Sequence, residues 1–195
     1  MTKCLDQLIF QYYNKNWGLK VTDLHQGIVW GTDTAETKIH KNFINRFDYD
    51  GIYGTVLNRF CSQAANKHPL TIYGTGEQTR AFIHISDTAE CISLAEKNCD
   101  FDNSRVRIFN QVSEICNLKF LAQKISKMYD VKIKYYKNPR KELKKNNLAV
   151  SRIGLKNLGF KPIVLDDMLL SDINLVASFF EKRFKKDNIL NSPNW

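Results

Sequence analysis

The residues of this chain best suited to chemistry are arginines set beside glycine turns and helix starts. Between Leu70 and Arg80, Gly74 and Gly76 allow a sharp backbone turn, and Arg80 follows on a short strand. A guanidinium fork there can hold two phosphate oxygens at once. Thr55 stands at the start of a helical stretch, where free amide groups and the helix dipole favour an anion. The run Asn138-Pro139-Arg140-Lys141-Glu142 places a second arginine in a loop, with a carboxylate two residues on. That pair fits a diphosphate and a neighbouring ribose hydroxyl. Each feature also fits ordinary solvated surface, and spacing alone does not bring the three together in space.

The elements that must position these groups alternate in type. Leu5, Leu8, Ile9, Tyr12 and Tyr13 recur at three- and four-residue spacing and predict a helix over 2–16, ended by Gly18. Residues 19–30 read as a strand and a turn, with Gln26 in the turn. Residues 32–53 are polar, show no period and read as a long functional loop. Val56, Phe60, Cys61 and Ala64 predict a helix over 56–66, closed by Pro69 and followed by a short strand over 70–73. A strand over 80–85 leads to Ser86 and Asp87, which offer an N-cap for a helix to about residue 97. Strands over 105–111 and 131–136 flank a helix marked by Leu118, Leu121, Ala122, Ile125 and Met128, and the last long helix spans 165–183. Strands alternating with helices imply α/β architecture. With no internal repeat and no low-complexity segment, 1–195 reads as one unit.

Composition narrows the function classes. The formal charge of +9 raises nucleic acid as a partner, but the lysines are dispersed except over 137–145 and 182–186, and no zinc-finger spacing or basic repeat occurs. An anionic small substrate and solvated surface account for that charge, so no nucleic-acid partner is expected. No apolar run approaches the ~20 residues of a membrane span, and no membrane partner is expected. Cys4, Cys61, Cys91, Cys99 and Cys116 lack metal or redox spacing, which points to reduced thiols, no metal site and a cytoplasmic location. Trp17, Trp30 and the phenylalanines read as core, Asp87 as a helix cap and His84 as packed within its strand.

The segment from Val21 to Gly31, the block from Asn45 to Asp50 and the run Gln78-Thr79-Arg80 resemble UDP-sulfoquinovose synthases and their bacterial relatives. These belong to the extended short-chain dehydrogenases, the NAD-dependent epimerases and dehydratases of nucleotide sugars. The likeness runs from the first residues to Trp195. It implies the C-terminal half of a Rossmann-type fold: the last parallel strands plus the smaller substrate-binding domain. Members of the family begin with a strand, a Gly-rich turn and a helix that bind the NAD pyrophosphate. No such motif occurs in these 195 residues, so the N-terminal dinucleotide-binding part is expected to be absent.

Lys3 matches the lysine of the family's catalytic Tyr-x-x-x-Lys pair, because its 14-residue step to Trp17 fits the family. The tyrosine would then fall before Met1. In that pair the ammonium lowers the phenol's pKa, and the phenolate takes a sugar hydroxyl proton as hydride leaves for NAD. A chain without the tyrosine is expected to turn over little or nothing alone, and Lys3 then fits a solvated helix-start residue as well.

The resemblance further implies NAD as cofactor, approached by Lys3, Gln26 and Arg46. It implies a UDP-linked sugar as substrate, approached by His25, Gln26, Thr55, Tyr73, Gln78, Thr79, Arg80, Arg140 and Glu142. His25 replaces a frequent asparagine and also fits a loop histidine bonded to backbone. Tyr73 also fits a half-buried residue on an edge strand. A homodimer, or pairing with a separate N-terminal half, is expected to cover apolar surface left on helix 2–16 and strand 19–24. A non-catalytic remnant or partner subunit that binds a nucleotide sugar remains the alternative.

Overall fold

The computed structural model describes residues 2–44, 47–51, 53–99, 104–139, 143–180 and 184–189. In chain order the chain forms α1 (Thr2–Trp17), β1 (Thr22–Gln26), β2 (Ile28–Trp30), α2 (Ala35–Ile39), α3 (Val56–Ala65) and β3 (Leu70–Tyr73). There follow β4 (Thr79–His84), α4 (Ile85–Lys97), β5 (Arg107–Gln111), β6 (Glu114–Asn117) and α5 (Leu118–Tyr129). The remaining elements are β7 (Ile133–Tyr136), α6 (Ile153–Asn157) and α7 (Leu165–Phe180).

Parallel pairing dominates, as an alternation of strands and helices requires. β1 runs parallel to β5, with His25 opposite Asn110. β2 runs parallel to β4, and β4 runs antiparallel to β6, with Arg80 opposite Cys116. β3 runs parallel to β7. The predicted strand over 19–30 is two strands in two sheets. Gly27 marks the change, its N–H donating to the Gln111 carbonyl at 3.0 Å.

The main core lies where α3 packs on α5 and α7, beneath β3 and β4, and is filled by Trp30, Phe60, Leu70, Ile72, Phe82, Leu121, Ile125 and Ile173. Each side chain of this size contributes about 1.5–3 kcal/mol when fully buried. A second cluster of Ile83, Cys91, Phe109, Leu155 and Phe160 sits under α4 and α6. α3 buries Phe60, Cys61 and Ala64 as their spacing predicts. No helix among the described residues is long and apolar enough to cross a membrane.

Three expectations need correction. Residues 32–53 are not wholly irregular: Thr34 and Thr37 exchange side-chain and backbone bonds in a capping box that starts α2, and a 3-10 turn follows at Lys41–Phe43. Asp87 does not cap α4. The His84 ring does, accepting the Ser86 N–H at 3.3 Å, while the buried Asp87 carboxylate accepts from Ser113 Oγ at 2.5 Å and the Ile163 N–H at 2.9 Å. Trp17 is not core. It is 62% exposed and leans on Tyr12 and Tyr13, ring centroids 5.2 and 5.1 Å away. The apolar face of α1 is outward, in line with the apolar surface expected on helix 2–16: Leu5, Leu8, Ile9, Tyr12 and Tyr13 are exposed and only Asn14 is buried in that helix.

Candidate functional site

One cavity of about 270 Å³ opens between the start of α3, β3, the turn after it, β4 and the start of α5. Local sequence explains its shape. Gly54 is needed because a Cβ there would come within 2.4 Å of the Asp50 carbonyl oxygen, so the loop can fold tightly just before Thr55. Gly76, at φ +73°, turns the chain from β3 into β4, where a Cβ would come within 2.9 Å of Ile72 Cγ2 and 3.2 Å of Lys119 Cβ. The turn is locked from the other side, where Gln78 and Gly76 carbonyls accept the N–H groups of Leu118 and Lys119 at 3.1 and 2.8 Å.

Thr55, Tyr73, Gln78 and Arg80 all line this cavity. The sequence therefore placed four substrate candidates from three separate blocks around a common space. Thr79 sits behind the wall, with its N–H donating to Asn146 Oδ1 at 2.7 Å and its carbonyl accepting from Asn146 Nδ2 at 3.2 Å. Asn146 thus ties the chain after Leu143 to β4. Arg140 and Glu142 lie outside the described residues, as does Arg46, but Asn138 and Pro139 just before them line the cavity.

Sequence reasoning missed Arg59. It is 7% exposed, lines the cavity, and holds its guanidinium carbon 5.3 Å from the centre of the Tyr73 ring and 5.9 Å from that of Phe60. A signal was present: Arg59 is three residues after Val56 and one before Phe60, on the inward stripe of α3, where a charge needs a reason. The described residues of the wall include two arginines and no carboxylate. Thr55 is the N-cap of α3 but its side chain makes no capping bond, and its buried Oγ1 has no hydrogen-bond partner. The positive end of α3 adds to the two guanidinium groups. Such a wall attracts an anion, and Tyr73, Ile72, Val56 and Phe60 give it an apolar, aromatic side.

Lys3, His25 and Gln26 do not line the cavity. Lys3 stands on α1 and His25 and Gln26 on β1, and Ile28, two residues beyond Gln26, is part of the wall. Lys3 and Gln26 are exposed. His25 is neither in a loop nor bonded to backbone. It lies within β1, its Nε2 3.0 Å from Asp23 Oδ2 and 2.5 Å from Gln7 Nε2. Gln7 is one helical turn after Lys3, so these bonds bring the Lys3 end of α1 to the last residues of β1.

Comparison with known proteins adds to this geometry. The sequence profile of the NAD dependent epimerase/dehydratase family matches residues 8–110. Over 200 aligned residues the chain is 38% identical to the chloroplastic UDP-sulfoquinovose synthase of Spinacia oleracea, which covers 100% of this chain and 41% of that protein. It is 37% identical over 166 residues to UDP-sulfoquinovose synthase of Sulfolobus acidocaldarius, covering 83% of this chain and 42% of that protein. The chain thus spans about two fifths of the length of the curated relatives it matches. Among solved structures, a UDP-N-acetylglucosamine 4-epimerase from Methanobrevibacter ruminantium, crystallised with UDP-N-acetylmuramic acid, superposes with a TM-score of 0.69 at 22% identity. That match takes in 93% of this chain and 53% of the other, and it shows a shared fold.

Proposed function

The chain belongs to the NAD dependent epimerase/dehydratase family, and from that premise we propose that its cavity binds the nucleoside diphosphate of a nucleotide sugar, in the manner of a UDP-sulfoquinovose synthase. One observation carries this reading: Arg59, Arg80 and the start of α3 meet on a wall whose described residues include no carboxylate and which also presents Tyr73. Arg80 and the α3 amides hold the pyrophosphoryl oxygens, with Gln78 beside them. Tyr73 and Ile72 give the base an apolar shelf. Thr79 fixes the strand that aims Arg80, and Arg140 and Glu142 approach the diphosphate and ribose from beyond Pro139.

The family uses NAD. The exposed Lys3 and Gln26, on the face shared by α1 and β1, fit its nicotinamide end, with Arg46 assigned to the same side. NAD bound there would accept hydride from the sugar, the oxidation that precedes a change at a neighbouring carbon. Lys3 contributes a positive charge that lowers the pKa of a partner base, and His25 and Gln26 orient the sugar. No Tyr-x-x-x-Lys and no Gly-x-Gly-x-x-Gly occurs within these 195 residues. The chain by itself is therefore proposed to bind nucleotide sugar without appreciable turnover.

The test is calorimetric titration with UDP-glucose. Removing a charge-assisted bond of about 1.5–3 kcal/mol predicts that Arg80→Ala weakens binding by roughly 10- to 150-fold. Unchanged affinity would overturn the reading.

A further inference from the structure

We propose that the C-terminal segment 184–189 is a working part of the nucleotide site, strapping the nucleoside end of the cavity and setting how long a nucleotide stays there. The inference rests on the cavity being a nucleotide-diphosphate site. Two residues of the cavity wall, Gly51 and Tyr73, bond to this segment. The Gly51 N–H donates to the Asn188 carbonyl at 3.2 Å, and the Tyr73 hydroxyl donates to the Ile189 carbonyl at 3.5 Å.

The segment is itself anchored close by. The Phe184 ring stacks on Tyr49 with centroids 5.2 Å apart and planes at 29°, and the Lys185 N–H donates to the Tyr49 hydroxyl at 2.8 Å. Ile189 is fully buried. Thus 49, 51 and 73, which come from a loop and a strand, are gathered by six residues from the far end of the chain. The Tyr73 ring lies between two constraints: Arg59 over its face and the Ile189 carbonyl at its hydroxyl. A ring so fixed presents one orientation to a base. The described ties of the strap are all non-covalent, and Phe184 also meets the His68 ring edge-on with centroids 6.0 Å apart. The segment's bonds fall at Tyr49, Gly51 and Tyr73, whereas Arg80 lies on β4 and Thr55 at the start of α3, and this difference in position separates the two ends of the ligand.

That separation defines the experiment. Wild-type chain, Phe184→Ala, and the milder Tyr49→Phe, which removes the hydroxyl that accepts from Lys185 and keeps the ring, are each titrated with UDP and with inorganic pyrophosphate, and UDP dissociation is followed by stopped flow. For Phe184→Ala the expected result is a UDP dissociation rate about tenfold faster, equivalent to about 1.4 kcal/mol, with pyrophosphate affinity within about twofold of wild type. Tyr49→Phe should shift the same way by a smaller factor, which keeps the test open if Phe184→Ala does not fold. Equal losses for UDP and pyrophosphate would overturn the strap as a nucleoside-end device, as would an unchanged UDP dissociation rate. Wild-type chain that binds neither ligand would instead overturn the nucleotide-site reading beneath it.

Discussion

His84, the last residue of β4, holds its imidazole Nε2 3.3 Å from Oδ2 of Asp172 on α7, with both side chains shut off from solvent. His84 Nδ1 accepts the Ser86 N–H, which leaves the ring hydrogen on Nε2 to donate to the carboxylate. Asp172 Oδ1 in turn accepts the backbone N–H groups of Thr32 and Asp33, the latter at 2.9 Å. One carboxylate therefore ties α7, β4 and the strand exit after β2. Asp172→Ala strands four buried donors, the Thr32 hydroxyl included, and is expected to destabilise the fold by about 3–5 kcal/mol. Urea unfolding measures it, and a loss under about 1 kcal/mol would show that the donors find other partners.

The thiols divide into two sets. Cys4 and Cys99 are exposed, while Cys61 and Cys91 are buried. Burial, aided by Asp87 and Glu90, pushes the Cys91 thiol up to about 12; burial, aided by Glu114, does the same to Cys116. Burial and then Asp172 raise Cys61 as well. Thiols held protonated are poor nucleophiles. Iodoacetamide at pH 8 should therefore label Cys4 and Cys99 quickly and the other three only after denaturation, as read by peptide mass spectrometry. Rapid native labelling of Cys116 would mean that β6 opens beside Arg80.

The legible parts of the sequence were those governed by local rules. α3, β3 and α5 follow from apolar spacing closed by Pro69, the Gly74 turn and Asn117, whose side chain caps α5. β6 was not legible, because Glu114 to Asn117 has no alternation and becomes a strand only through pairing with β4. α2 was hidden for a related reason: five residues show no helical period, and the Thr34–Thr37 box makes the helix. In the site, glycine turns announced Arg80 and the helix start announced Thr55. Arg59 stands out in the sequence only as a charge on the inward stripe of α3, and its partner is set when β3 brings the Tyr73 ring to it. The strap was beyond reach, since its contacts with Tyr49 and Tyr73 join residues more than a hundred positions apart.

Asp87 gives a pH dependence with a definite sign. Burial raises its carboxyl above the ordinary 3.8, against the opposing pull of Ser113, Ile163 and His84. The folded state then holds this proton more tightly than the unfolded state. Its contribution to stability is full below pH 3.8 and is lost as pH rises through the raised folded value. Other carboxylates add trends of their own, so the quantity to measure is the unfolding free energy of wild type minus that of Asp87→Asn. That difference should fall with rising pH across the window above 3.8. A flat or rising difference would show that the bonds to Ser113 and Ile163 outweigh burial.

Thr55 distinguishes a helix cap from a ligand group. A working Thr cap contributes about 1 kcal/mol, because its hydroxyl satisfies an amide of the first turn. Thr55 makes no such bond, and its Oγ1 is buried in the cavity wall without a partner. A buried hydroxyl left unsatisfied costs stability unless a ligand oxygen completes it. Thr55→Val keeps the branched shape and deletes the hydroxyl. Thermal stability should stay the same or rise by up to about 1 kcal/mol, while UDP affinity falls by roughly 3- to 10-fold. Melting curves and calorimetric titration on one preparation read both. A stability loss near 1 kcal/mol with unaltered UDP affinity would return Thr55 to the role of an ordinary cap, leaving the anion to Arg80 and the α3 amides.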